Sequence, residues 1–266
     1  MPSRLPFAIL VVAAACARPS DSPTKFDPAN FQLVDLTHSF NAQTIYWPTS
    51  TKTFEHPQQS YGKTPGGWFY SSYELSTPEH GGTHLDAPIH FGEGKETADQ
   101  IPLTRLVARA VVIDVSAKAD SNPDYQLTPD DITAFERDHG QIAEGTIVLL
   151  RTGWSRKWPD KLAYLGDNTP GDASKLHFPS FGPDAARLLV EQRKVAALGA
   201  DVAPIDIGAS TNFMVHQVAA AASVPGFENL ANLDQLPATG AIVIALPMKI
   251  EGGSGGPLRA IALIPR

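Results

Sequence analysis

A single cysteine, Cys16, is the only thiol in 266 residues. One thiol can form neither an intramolecular disulfide nor a thiolate metal cage, so a stapled scaffold, a zinc ribbon and a redox cysteine pair are excluded. Charge is also sparse. Asp, Glu, Lys and Arg make up 18% of the chain, and 21 basic residues face 28 acidic ones for a net charge of −7. No basic stripe interleaved with aromatics is present, which argues against nucleic acid as a partner. Missing too is any apolar run of the roughly 18 residues that a membrane-spanning helix needs. There is no internal repeat and no low-complexity tract. The 42% apolar content that remains is that of an ordinary globular domain.

The N-terminus departs from this average. Arg4, the apolar run "LPFAILVVAAA" and then Cys16 have the order of a secretory signal, too short to cross a bilayer. "AAAC" resembles a bacterial lipobox, in which the cysteine becomes the lipidated first residue after cleavage. The expected organisation is a signal peptide over 1–16, a polar, proline-containing leash over 17–30 and one domain over 31–266. Export across the inner membrane to the periplasm or cell envelope follows, with lipid as the only membrane attachment. Cleavage after alanine without lipidation is the alternative.

Beyond the leash, "FQLVDLTHSF" starts as a strand. Five further apolar, β-branched runs follow: "RAVVIDVS" (109–116), "GTIVLLRTGW" (145–154), "VAALGADV" (195–202), "GAIVIALPMKI" (240–250) and "LRAIALIP" (258–265). Near-continuous runs are expected of strands covered on both faces. Between them lie helical patterns with start and stop signals. "LTPDDITAFERDHG" has Thr128 as cap, Pro129 in the first turn and Gly140 at its end, and "FGPDAARLLVEQRK" repeats that logic. The alternation predicts an α/β single domain, a central mixed sheet or barrel-like core flanked by helices.

The most loaded stretch is "STPEHGGTHLDAPIHF", residues 76–91, which holds His80, His84, Asp86 and His90. A helix would set Asp86 about 200° round from His80 and His84 counted from their shared face. In extended chain all four have even parity and can point one way. Gly81, Gly82 and Pro88 forbid a regular central strand, so an irregular extended segment is expected. Two imidazoles and a carboxylate converging from one segment suit Zn, Mn or Fe, with coordination positions left for water. Downstream, "FMVHQVAAAASVPGFENL" places Glu228 twelve residues after His216, across an Ala-rich stretch that reads as a short helix ended at 224–226. By spacing alone, that pair is equally a surface histidine and an unrelated glutamate.

Together these residues resemble the metal-dependent cyclase family of hydrolases, which includes bacterial kynurenine formamidases and isatin hydrolases. Its signature, His-x-Gly-Thr-His-x-Asp-x-Pro-x-His, is matched by "HGGTHLDAPIH" from His80 to His90. "VDLTHSF", "IYWP", "HFPSFGPDAARLLVEQRKVAALGADVAPID", "GFENL" and "GGPLRAIAL" look like its other segments, although Pro204 stands where many relatives have serine before Ile-Asp. The resemblance implies a swivelling β/β/α fold and a divalent metal, Zn or Mn, as one or two ions. It implies His80, His84 and Asp86 as primary ligands, His90 as general acid/base, and His216 and Glu228 completing the site. It also implies a dimer or tetramer. The reaction implied is hydrolysis of an amide on an aromatic ring, N-formylkynurenine or a ring-closed amide such as isatin, by metal-activated water with His90 taking the proton. Tyr46, Trp47, Trp68 and Phe69 are candidates for an aromatic wall against an aryl amide, with plain core packing as the other use of such residues.

Two rival readings belong to other classes. "GGSGG" (252–256) matches the Gly-x-Ser-x-Gly nucleophile elbow of serine hydrolases, but Pro257 and a strand-like run follow where an elbow needs a helix, so a flexible strand connection is expected. The alternative to an enzyme is a lipoprotein on the same fold that binds metal or a small molecule without turnover. His90 argues against it, since a purely structural site has no use for an unliganded imidazole.

Overall fold

The computed structural model describes residues 27–266. The signal and lipobox expected over 1–16, and the leash as far as residue 26, lie outside them. The last residues of that expected leash already have structure. Asp27 accepts a hydrogen bond from the Ala29 N–H at 2.9 Å and caps a 3-10 turn, Pro28–Asn30.

Twelve strands follow among the described residues: β1 (Phe31–Asp35), β2 (Gln58–Lys63), β3 (Phe69–Tyr73), β4 (His84–Asp86), β5 (Val107–Asp114), β6 (Gln126–Leu127), β7 (Ile147–Arg151), β8 (Ser180–Phe181), β9 (Ala197–Ala200), β10 (Gly226–Glu228), β11 (Thr239–Pro247) and β12 (Gly255–Pro265). Six α-helices lie between them: α1 (Leu103–Leu106), α2 (Ser116–Ser121), α3 (Pro129–His139), α4 (Lys161–Leu165), α5 (Pro183–Arg187) and α6 (Met214–Ala221). The order β12-β11-β5-β7-β9-β10-β4 closes on itself because β4 also pairs with β12, and β1 adds an antiparallel strand to β12. The fold is thus a mixed, closed seven-strand barrel flanked by helices, and closure leaves no strand of the ring unpaired.

The apolar runs explain the closure. All seven ring strands send residues into one cluster, with Leu85, Val112, Leu149, Ala197, Phe227, Val243 and Ala260 among them. The alternate residues, Val111, Ile113, Val148, Leu150 and Leu198, pack with Ile132 and Phe135 of α3, Ala185 of α5 and Val215 of α6. β5, β7 and β9 are parallel and covered on both faces, hence their continuous hydrophobicity. α3 begins as its sequence implies: Thr128 Oγ1 accepts from the Asp131 N–H, Asp131 answers on the Thr128 N–H at 2.8 Å, and Gly140 ends the helix at φ 86°. The second helical pattern differs from expectation. After Arg187 it widens into a π-type turn, Leu188–Gln192, which keeps Leu189 and Val190 buried. "GGSGG" is also more structured than a flexible connection, since Gly255 and Gly256 pair with Asp86 and Leu85 as the first residues of β12.

A correction concerns Trp68 and Phe69. They stand at the tip of the β2–β3 hairpin, which pairs only with itself, and are 64% and 58% exposed. Neither lines the cavity that holds Tyr46 and Trp47, because the two-stranded ribbon stands outside the barrel.

His38, just after β1, stacks on Trp158 with ring centroids 4.4 Å apart, and burial lowers its pKa to about 4 from 6.5. The folded protein therefore resists the proton that the unfolded chain accepts. This burden is absent above pH 6.5 and grows as pH falls from 6.5 to 4, reaching about 2 kcal/mol once partial solvent screening is allowed for. His38→Phe, which preserves the stack, is expected to lose less stability than the parent between pH 7 and 4.5. Urea unfolding at both pH values reads this; equal losses in the two proteins would refute it. Among the described residues, no helix is long and apolar enough to cross a membrane.

Candidate metal centre

β4 is three residues long and wedged between β10 and β12. Strand alternation buries Leu85 in the barrel core and turns His84 and Asp86 to the other side. Glu228 on β10 lies opposite His84. Asp86 has Gly226 on one side and Gly255 on the other, which leaves room around its carboxylate. Strand parity accounts only for His84 and Asp86. His80 arrives through a bend at Gly81 and Gly82, the latter at φ +58° with Phe40's ring 2.6 Å from where a Cβ would sit. His90 arrives through the 3-10 turn Pro88–His90 that stops β4. The His80 and His90 rings stack at 3.8 Å.

His216 comes from the far end of the chain on α6, and Glu228 from the strand that follows it. Around Asp86 the short distances are His80 Nδ1–Oδ1 at 2.6 Å, His84 Nε2–Oδ1 at 3.2 Å and His216 Nε2–Oδ2 at 3.1 Å. Glu228 lies 3.4 Å from His84 Nε2 through Oε2 and 3.3 Å from His216 Nε2 through Oε1. All but His80 are buried.

The outward-facing nitrogens decide what the inner ones can do. His84 Nδ1–H donates to the Gly82 carbonyl at 3.0 Å, and His216 Nδ1–H to Asp206 Oδ2 at 2.6 Å. In the neutral imidazoles, then, both Nε2 lone pairs face inward toward the oxygens of two carboxylates. Acceptors facing acceptors in a buried space require a cation. Two overlapping triads result, His80/His84/Asp86 and Asp86/His216/Glu228, each with ligand atoms within 4.8 Å of one another and with Asp86 shared. The donor set fits a borderline divalent ion, and the geometry accommodates one or two.

The same field draws protons when no cation fills it. Burial works against charging His84, but its bond to Asp86 and the charges of Asp86 and Glu228 prevail and raise its pKa to about 9. His216 moves up in the same way through Asp206, Asp86 and Glu228, while Asp86 is held well below the carboxylate range despite its burial. His90 behaves oppositely. It opens to the cavity on one side, yet its walls desolvate it, and with the neighbouring imidazoles lower its pKa to about 4 against the pull of Asp86. It is therefore a neutral imidazole at pH 7.

Beside the cluster lies a cavity of about 280 Å³, lined by Tyr46, Trp47, Phe91, Phe213, Ile45 and Pro204 as well as the ligand residues and His90. Trp47 meets Phe178 and Phe213 edge-on, and Phe213 and Phe91 are 5.6 Å apart. Tyr46 is held by a 2.7 Å hydrogen bond between its hydroxyl and Thr77 Oγ1.

The family model described as "Putative cyclase" matches residues 34–207. The chain belongs to the cyclase family. An isatin hydrolase from Roseibium aggregatum is 38% identical over 208 residues, 75% of this chain and 77% of that protein. A kynurenine formamidase from Salinibacter ruber is 28% identical over 86% of this chain and 96% of its own. Among solved structures, an isatin hydrolase bound to the product analogue thioisatinate superposes with a TM-score of 0.82 at 34% identity, covering 90% of this chain and 94% of that one.

In this cyclase-family chain the structure gathers His80, His84, Asp86, His90, His216, Glu228, Tyr46 and Trp47 around one cavity. Sequence reasoning missed three residues there. Phe91 and Phe213 complete the aromatic wall, and each is a neighbour of a singled-out element. Asp206 accepts from the Val215 and His216 N–H groups at 3.0 Å as well as from the His216 ring. It serves as both helix cap and ring anchor for α6. Its sequence signals are its place at the end of the family-like segment "ADVAPID" and its position ten residues before His216.

Proposed function

We propose that this protein opens a ring-closed aromatic amide, of which isatin is the type, by metal-dependent hydrolysis. The chain is a metal-dependent amidohydrolase acting on carbon–nitrogen bonds other than peptide bonds. The observation that carries the substrate is the cavity wall: four aromatic faces and, among the described residues, no charged side chain outside the ligand cluster. At about 280 Å³ it lies just below the roughly 300–1,000 Å³ usual for ligand pockets. A flat bicyclic amide suits such a slot. N-formylkynurenine carries in addition an ionised amino-acid group, for which the wall offers no partner.

His80, His84, Asp86, His216 and Glu228 would hold the ion. When bound, a divalent ion supplies an acidified water as nucleophile at neutral pH and an electrophile for the amide carbonyl. Neutral His90 accepts the nucleophile's proton and returns it to the departing aryl nitrogen, so that water is added, the ring C–N bond breaks and an amine and a carboxylate result. Tyr46, Trp47, Phe91 and Phe213 orient the ring and exclude solvent. Metal analysis of the purified protein coupled to turnover of isatins, formyl-anilides and lactones tests this reading. Isatin turnover that a chelator abolishes and metal restores is expected. Exclusive turnover of formyl-anilides would replace the substrate, and chelator-resistant turnover would overturn the mechanism.

The address is part of the proposal. A lipid-tethered enzyme in the cell envelope fits removal of a permeant aromatic better than a step of tryptophan breakdown, whose substrate arises inside cells. Cys16→Ala is expected to end incorporation of labelled fatty acid and to shift the protein from the membrane to the soluble fraction. Parent-like membrane association of the variant would refute the lipid anchor.

A further inference from the structure

The glycine-rich stretch 252–256 leads into a strand, so its match to the serine-hydrolase elbow leaves Ser254 without a role. In the structure Ser254 is pinned from several sides. Its hydroxyl lies 2.6 Å from Glu79 Oε2, its N–H donates to the same oxygen at 2.9 Å, and its carbonyl accepts from the Ala87 N–H at 2.8 Å. The hydroxyl oxygen also lies 2.8 Å from His80 Nε2, and the other nitrogen of that ring faces Asp86 Oδ1. The flanking glycines permit this approach. A Cβ on Gly255 would strike the Leu85 carbonyl and stand 2.7 Å from His80 Cε1, and one on Gly253 would stand 3.1 Å from Glu79 Oε1.

We propose that Ser254 and Glu79 are a positioning pair that holds His80 in the tautomer with hydrogen on Nε2, leaving the Nδ1 lone pair for the metal. The inference rests on the metal-dependent reading given above. An ionised carboxylate can only accept, so the single hydroxyl hydrogen of Ser254 goes to Glu79. The hydroxyl oxygen is then an acceptor toward His80, and Nε2 must carry the hydrogen. Nδ1, on the side of Asp86, is then the nitrogen that can ligate an ion, as the ligand role requires. His84 and His216 get the same service from the Gly82 carbonyl and Asp206. His80 has the greatest need of it: it sits on a bend rather than a strand or helix, and its side chain is 26% exposed where those of His84 and His216 are 4% and 5%. Ser254 does not line the cavity, which separates this role from that of a nucleophile.

The experiment measures the affinity of the metal-stripped full chain for Zn²⁺ by competition with a chromophoric chelator, and the ¹⁵N NMR signals of His80 in zinc-loaded parent protein. Ser254→Ala is expected to bind Zn²⁺ about 10–100-fold more weakly, the range typical for loss of a partner behind a ligating histidine. Ser254→Thr, which keeps the hydroxyl, should recover most of that loss. Adding Glu79→Ala to Ser254→Ala should cost little more, since the two residues act as one chain. The NMR signals should show hydrogen on Nε2, an outcome that depends on no variant. Parent-like affinity in Ser254→Ala, or hydrogen on Nδ1 in the zinc-loaded parent, would overturn the proposal. So would loss of turnover at unchanged affinity, which would make Ser254 act on the substrate. If the parent itself takes up no divalent ion, the metal-dependent reading fails first and this inference with it.

Discussion

Replacing His90 by alanine is expected to lower kcat by about 10²–10⁴-fold, the range for a lost general acid/base, with metal content unchanged. His90 belongs to neither ligand triad, yet it stacks on His80 and faces the same cavity. With its pKa lowered to about 4, it is uncharged throughout the neutral range and keeps a free lone pair for the transferred proton. A proton acceptor that stands beside the ligand cluster, and is not part of it, affects the chemical step more than ion retention. His90→Gln keeps a flat group against His80 and separates loss of proton transfer from loss of the stack; it should be nearly as slow as the alanine variant. Parent-like kcat in both would dismiss the assigned role, and equal loss of metal would make His90 a ligand instead. The measurement is kcat together with metal per chain on the same preparations.

Asp86→Asn is expected to have the larger effect on the metal. Asp86 is the one residue common to both triads, with Oδ1 toward His80 and His84 and Oδ2 toward His216. The amide has nearly the same size, so packing between Gly226 and Gly255 is retained, but the charge is lost and one acceptor oxygen becomes a donor. The buried imidazoles then lose their shared counter-charge. Affinity should fall by more than the roughly 10–100-fold typical of outer partners, and activity with it. Glu228→Gln removes a carboxylate that belongs to the second triad alone, although its Oε2 also lies 3.4 Å from His84 Nε2, and should cost less metal than Asp86→Asn. Metal per chain after dialysis, for parent and both variants, reads this contrast. Parent-like metal in Asp86→Asn would refute the shared-carboxylate arrangement.

The barrel was legible because burial on both faces leaves its mark on composition: β5, β7, β11 and β12 coincide closely with continuous apolar runs. Thr128 and Gly140 marked the limits of α3 because capping is a local matter of one side chain and one backbone angle. The ligand segment was legible through residue type and spacing, though parity explained less than it promised. His84 and Asp86 alternate on a true strand, while His80 and His90 reach the centre through bends that parity cannot describe. The aromatic wall was half legible. Tyr46 and Trp47 face the cavity, whereas Trp68 and Phe69, similar in composition, lie on a ribbon outside the barrel, and proximity in sequence could not tell the two cases apart.

What the chain determined by itself is the donor set, imidazoles and carboxylates with no thiol, and hence the kind of ion the site suits. It also determined the strand and helix content, because hydrophobic period and capping act over a few residues. Which nitrogen of each histidine faces Asp86 at the centre of the cluster was decided only by the tertiary structure. That choice depends on a carbonyl at Gly82, on Asp206, and on Ser254 with Glu79, and of these Ser254 is brought to His80 by the pairing of β12 with β4 from 174 residues away. A tautomer follows from what lies behind the ring, and that is a matter of packing in three dimensions.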